Sequence, residues 1–158
     1  MKTLGMLLVF LSVSSYGFFI SHESKKETNQ LNEMLDFMNH IKNQIKYFNK
    51  PLCEIYADFS SQNNVIKRLS ESLCSMEWNE VFENNEDIVI SKNAQGILID
   101  FGNKLGKCDY NGQMEICDYY ITAFEKEVSR VKNEQPKKTK LYVSISIYIA
   151  LLLILILW

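Results

Sequence analysis

Chain-breaking residues are scarce, with 2 Pro and 6 Gly in 158 residues. So few turn-formers argue against a sandwich or barrel, and for helices. An excess of either charge is also missing: 17 Lys+Arg stand against 19 Asp+Glu, a formal net charge of −2. Binding to nucleic acid needs a basic stripe, so nucleic acid is not expected as a partner. There are only 2 histidines, His22 and His40, and neither has ligand spacing to a cysteine, so no metal site is expected. Cys53, Cys74, Cys108 and Cys117 form no Cys-x-x-Cys pair and no regular framework, which excludes a disulfide-dense mini-protein. An even number of cysteines permits disulfides outside the cell, whereas free buried thiols suit a reducing cytosol. The topology argued below favours the free thiols. The length suits one domain and excludes a multi-domain enzyme.

Apolar residues are concentrated at the two ends. They make up 47% of the chain, yet mean hydropathy is −0.12. Thr3–Ile20 and Leu141–Trp158 carry no charge, and each covers 18 residues. As helix each would span about 27 Å, close to the ~30 Å of a bilayer's hydrocarbon core. The second run holds twelve Leu, Ile or Val residues, contributing about −4 to −7 kcal/mol towards insertion. Trp158 suits the headgroup level. The first run is diluted by Gly5, Ser12, Ser14, Ser15 and Gly17, and Val13-Ser14-Ser15 resembles a cleavage site, so a signal peptide is its alternative. Charge separates the two readings. Lys25 and Lys26 follow the first run and Lys137, Lys138 and Lys140 precede the second, against Lys2 alone on the outer side. By the positive-inside rule, residues 1–21 and 141–158 are transmembrane helices in the lipid bilayer, and residues 22–140 are a cytosolic domain.

The middle reads as helices. Leu31, Met34, Leu35, Met38, Ile41, Ile45 and Phe48 recur at three- and four-residue steps and form one stripe. Asn49-Lys50-Pro51 ends it, and Pro51 opens a helix with Leu52, Ile55, Tyr56 and Phe59 inward and Glu54 near its positive end. After a polar loop, Ile66, Leu69, Leu73 and Met76 line a third helix, and a short piece surrounds Trp78–Phe82. Glu77, Glu80, Glu83, Glu86 and Asp87 make an acidic face, ordinarily solvated and less often a docking surface for a basic partner. Ile88-Val89-Ile90 has strand composition but no partner strand, so it is read as the approach to a helix. That helix, about 92–105, buries Ile97, Leu98, Phe101 and Leu105; the next, about 111–133, buries Cys117, Tyr120, Ile121, Phe124, Val128 and Val131 and is closed by Pro136. Between them Gly106 can take the left-handed conformation and Asp109 can cap the next helix. Gly102 and Gly106, four apart, would allow a close helix crossing. The expected fold is all-α: an antiparallel bundle of five to six helices flanked by transmembrane helices.

Nothing in the sequence suggests catalysis. Gly102 to Cys108 has three residues between its glycines and Cys after the lysine, whereas a phosphate loop needs four and then Ser or Thr. There is no Gly-x-Ser-x-Gly elbow, and the carboxylates lie on polar faces without a shielded pair. Neither an enzyme nor a cofactor is expected.

The order of features resembles a known family. Leu4-Gly5 and Gly17-Phe18, then Ile45-Lys46-Tyr47 with Pro51-Leu52, the segment Phe101-Gly102 with Leu105-Gly106, Asp109 and Gln113, and Lys140-Leu141-Tyr142 resemble stage III sporulation protein AB. The chain departs at Val143-Ser144-Ile145, where that family usually has Leu-Gly. The resemblance implies a role in endospore formation, in the mother-cell membrane facing the forespore, within a secretion-like channel complex. It implies a cytosolic domain similar to that of platform protein F of type II secretion and type IV pilus machines. The implied partners are a secretion-type ATPase like stage III sporulation protein AA and other membrane proteins of the complex, with self-association as a homo-oligomer left open. No catalytic residue is carried over. The matched residues are Tyr47, Pro51, Leu52, Phe101, Gly102, Leu105, Gly106, Asp109 and Gln113. The alternative function is an exported, membrane-anchored helical binding domain with a cleaved signal and disulfides.

Overall fold

A computed structural model describes the backbone of residues 2–48 and 50–157, and the side chains of 25–48, 50–137, 140–149 and 152. Among these residues there are six helices and no strand: α1 Lys2–Phe48, α2 Leu52–Ala57, α3 Asn64–Ser72, α4 Trp78–Glu83, α5 Lys92–Lys104 and α6 Tyr110–Leu157. The chain divides into two compact units, Glu27–Arg130 and a second made of Met1–Lys26 with Val131–Trp158.

Local chemistry sets most boundaries. Asn63 caps α3 by accepting from the Val65 N–H at 3.0 Å, and Ser91 caps α5 by accepting from Ala94 at 3.2 Å. Asp109 accepts from the Gly112 N–H at 3.1 Å, the cap expected for α6. Gly106, with φ of +74°, ends the α5 region as a left-handed residue. Pro51 stands just before α2, and Glu54 lies in that helix's first turn, as expected.

Three expectations are corrected. Pro136 does not close the last helix but lies inside α6. An interior proline costs about 3 kcal/mol locally, and the helix-favouring residues on both sides carry the helix through it. Met76 lies beyond the end of α3 and is exposed. A stripe read at helical steps cannot continue once the backbone leaves the helix. Phe48, the last residue of the α1 stripe, is likewise exposed.

In the central unit the α1 stripe is buried at Leu31, Met34, Met38, Ile41 and Ile45, with Leu35 half-buried. Phe37, which the stripe omitted, packs against Phe59 at 4.8 Å and Tyr56 at 5.8 Å between ring centroids. Trp78 then meets Phe101 at 6.0 Å, and Phe101 meets Tyr120 at 6.0 Å, so aromatic contact runs through α1, α2, α4, α5 and α6. Burial pushes the Tyr56 hydroxyl up to about 12 and the Cys117 thiol up to about 11. Cys117 is thus a core residue rather than a nucleophile.

The strand-like stretch has a specific explanation. Gln30, fully buried, donates from Nε2 to the Asp87 carbonyl at 3.0 Å and accepts from the Val89 N–H at 2.7 Å through Oε1. One side-chain amide thereby supplies both hydrogen bonds that a neighbouring strand would have given. Gln30→Ala should destabilise the chain by about 2–3 kcal/mol, since it leaves a partly buried donor and acceptor unmatched. Hydrogen exchange would check this: the Val89 amide should lose protection well before the α6 amides do.

Cys53 and Cys74 are joined by a disulfide, with Cα atoms 4.8 Å apart. This corrects the expectation of four free thiols. Spacing alone does not show which chain segments meet, and the turn after α3 brings Cys74 back to α2. Cys108 and Cys117 are free.

Among the described residues, no helix is long and apolar enough to cross a membrane. The expected span Thr3–Ile20 lies outside the residues whose side chains are described, and the expected span Leu141–Trp158 lies only partly within them.

Candidate functional site

Of the nine residues of the family motif, Tyr47 is exposed, Asp109 caps α6, and the other seven divide into two groups. Phe101 and Leu105 are buried and face the core, and Gly102 serves it too, because a Cβ there would sit inside the Trp78 ring. Pro51, Leu52, Gly106 and Gln113 instead converge on one groove of ≈ 250 Å³. Its remaining lining comes from Ile45 of the α1 stripe, Lys50 of the expected helix stop, and Tyr110, which pattern reading did not name. The groove lies where the end of α1 and the start of α2 meet the turn between α5 and α6.

Each wall follows from a local rule. Gly106 contributes bare backbone, and a Cβ on it would meet Leu52 Cδ1 at 3.1 Å. Its left-handed φ is also strained for any other residue. Gln113 is held by donating from Nε2 to the Cys108 carbonyl at 3.2 Å. Lys50 pairs with Asp58 at 2.5 Å, which raises the lysine's affinity for its proton and lowers that of the carboxyl. Both groups are exposed, so the pair adds little stability.

Aromatic residues surround this groove in sequence. Tyr47 is 66% exposed and Phe48 62%, and Tyr110 is exposed as well. The Lys46 ammonium stands 5.1 Å from the Tyr47 ring centroid, and that of Lys50 6.0 Å from Phe48. Exposed aromatic residues are enriched at protein-binding surfaces. The available signal was the aromatic pair Tyr47-Phe48 directly before Asn49-Lys50-Pro51, where the helix was expected to end.

The acidic residues lie elsewhere. Glu77, Glu80, Glu83 and Glu86 are exposed, and Asp87 pairs with Arg68 at 3.3 Å. None of them lines the groove.

His40 donates from Nε2 to the Ile55 carbonyl at 3.2 Å and packs on Phe59, a structural role. His22 lies outside the residues whose side chains are described. Among the described residues, no group of His, Cys, Asp and Glu is placed to hold a metal ion. The groove offers Ile45, Pro51 and Leu52 alongside the polar groups of Lys50, Tyr110 and Gln113.

A family model described as stage III sporulation protein AB matches residues 2–158. No curated protein and no solved structure matches.

Proposed function

The chain belongs to the stage III sporulation protein AB family, and on that premise we propose that it is a non-enzymatic membrane component of a secretion-like channel complex between mother cell and forespore. In this reading residues 1–21 and 141–158 cross the mother-cell membrane and residues 22–140 lie in the cytosol. There they act as a platform that couples a secretion-type ATPase to the membrane assembly. The carrying observation is the family match over residues 2–158, which gives a role at stage III of sporulation. The lysines flanking both apolar ends support the topology. The groove at Pro51, Leu52, Gly106 and Gln113, with its exposed aromatics, supports a protein partner rather than a substrate. Tethering raises the local concentration of partners, so modest contacts suffice.

The test is affinity purification of the tagged full-length chain from sporulating cells. The expected result is co-purification of a stage III sporulation protein AA-like ATPase and channel components. Recovery of neither, from cells in which the tagged chain supports sporulation, would overturn the coupling role.

One observation favours a second reading, an exported, anchored binding domain with a cleaved signal. The Cys53–Cys74 disulfide is of a kind that persists in oxidising compartments. N-terminal sequencing of the mature protein separates the two: an end retaining Lys2 supports the platform, and a start near Tyr16 supports export.

A further inference from the structure

The Cys53–Cys74 disulfide lies on the surface. Both cysteines are exposed, so a thiolate from outside can reach either sulfur. Cys117, by contrast, is buried with its thiol pushed up to about 11, which keeps it out of such exchange.

The bond closes a loop over a segment with little helix-forming power of its own. Cys53 stands in the first turn of α2 and Cys74 in the turn after α3, 21 residues apart. α2 has 6 residues and α3 has 9, each short of the ~12–15 that an isolated helix needs in water. Buried Ile55 and Tyr56 hold α2 to the core, and Ile66, Leu69 and Leu73 hold the α3 region. Breaking the cross-link returns loop-closure entropy to the opened segment. The segment then opens more often, while its buried side chains keep it folded most of the time.

This segment begins at a residue of the family motif. Leu52 directly precedes Cys53, and its Cδ1 lies 3.1 Å from where a Cβ on Gly106 would stand. The ring of Pro51, at φ −57°, fixes the chain on one side of Leu52, and the disulfide fixes it on the other. The bond therefore governs how firmly α2 is held against the turn at Gly106.

We propose that Cys53–Cys74 is a reversible thiol–disulfide exchange site, opened by a cytosolic dithiol, and that its reduction releases residues 52–74 from the turn at Gly106. One thiolate of the dithiol attacks either sulfur, the S–S bond breaks, and the other sulfur leaves as a thiolate that takes a proton from water. The second thiol of the reductant then displaces the mixed disulfide, so two cysteine thiols form and the reductant is oxidised to its own disulfide. The same steps run in reverse with a low-molecular-weight disulfide as oxidant. The inference rests on the platform reading for its compartment, because a disulfide in a reducing cytosol is transient and redox-sensing rather than permanent.

The test uses the full-length chain in detergent micelles, oxidised with glutathione disulfide or reduced with dithiothreitol, with the thiol state read by alkylation and peptide mass. Amides of residues 52–74 should exchange hydrogen at least about 30-fold faster in the reduced chain. Those of residues 117–128 in α6 should be unchanged. Cys53→Ser with Cys74→Ser should behave as the reduced chain does and should not respond to dithiothreitol. The comparison of oxidised with reduced protein needs no substitution, so it holds even where that variant fails to fold. In sporulating cells quenched with acid and alkylated, both forms should be found, shifting to the reduced form when dithiothreitol is added. Equal hydrogen exchange in the two states overturns the proposal. So does a bond that dithiothreitol opens only in denaturant, or a pair that glutathione disulfide does not close. A mature N-terminus near Tyr16 would overturn the cytosolic compartment, whereas equal exchange would overturn the switch in any compartment, so the two failures are distinguishable.

Discussion

Gly102→Ala should cost about 3 kcal/mol of folding stability, the upper end of what overpacking a core imposes. The added methyl would fall inside the Trp78 ring. Trp78 is buried and has little freedom to retreat, since Phe37, Tyr56 and Phe101 surround it. Ordinarily alanine in a helix interior is more stable than glycine by about 1 kcal/mol, so the expected sign is opposite to that of propensity. Urea unfolding of the detergent-solubilised chain, followed by circular dichroism, gives the value. Trp78→Ala serves as control: it creates a cavity of its own and should cost about 3–5 kcal/mol, but in that background Gly102→Ala should become neutral or stabilising. If Gly102→Ala is equally harmful with and without Trp78, close approach of α4 to α5 is not what the glycine provides.

This pairing also shows how far the sequence was legible. Gly102 and Gly106 stood out as glycines four apart that would admit a close neighbour, and the neighbour was expected to be one helix touching both. Instead they serve two ends: Gly102 admits the flat face of Trp78, while Gly106 supplies the positive φ expected of it and a bare wall of the groove. Periodicity read the α1 stripe at Met34, Met38, Ile41 and Ile45 because burial on a straight helix repeats with the backbone's own turn. The same rule missed at Phe48 and Met76, where the backbone ends its helix. Gln30 was invisible to it for another reason. A buried amide is placed by the backbone groups of residues 57 and 59 positions away, and no local pattern encodes such a partner. The candidate site was half legible. Its residues lay in two motif segments that pattern reading named, but that Pro51 and Leu52 meet Gly106 and Gln113 is a property of the folded chain.

Glu127 gives the largest expected effect of pH. It is a carboxylate on α6, only 4% exposed, yet fully provided with partners. Its Oε1 accepts from Ser91 Oγ at 2.7 Å and Arg130 at 2.6 Å, and its Oε2 from Asn93 at 2.9 Å and Arg130 at 2.9 Å. Because Ser91 is also the cap of α5, the carboxylate fastens the start of that helix to α6. The Arg130 guanidinium first, then the Ser91 and Asn93 donors, outweigh burial and hold the carboxyl at about 2, against an ordinary value of 4.5. A folded pKa below the unfolded one means that the stabilisation is fully present above pH 4.5 and is lost as pH falls towards 2. Its ceiling is roughly 3 kcal/mol, and the exposure of Arg130, at 46%, argues for somewhat less. Glu127→Gln keeps the shape and removes the charge, so it should cost about 2 kcal/mol at neutral pH and almost nothing near pH 2, the two stability profiles converging on acidification. Arg130→Ala should cost more than Glu127→Gln, because it leaves the buried carboxylate without its cation, whereas Glu127→Gln leaves a half-exposed cation that water rehydrates. Parallel profiles from neutral pH to pH 2 would mean that the carboxylate's charge does not hold α5 to α6, and that shape alone accounts for the contact.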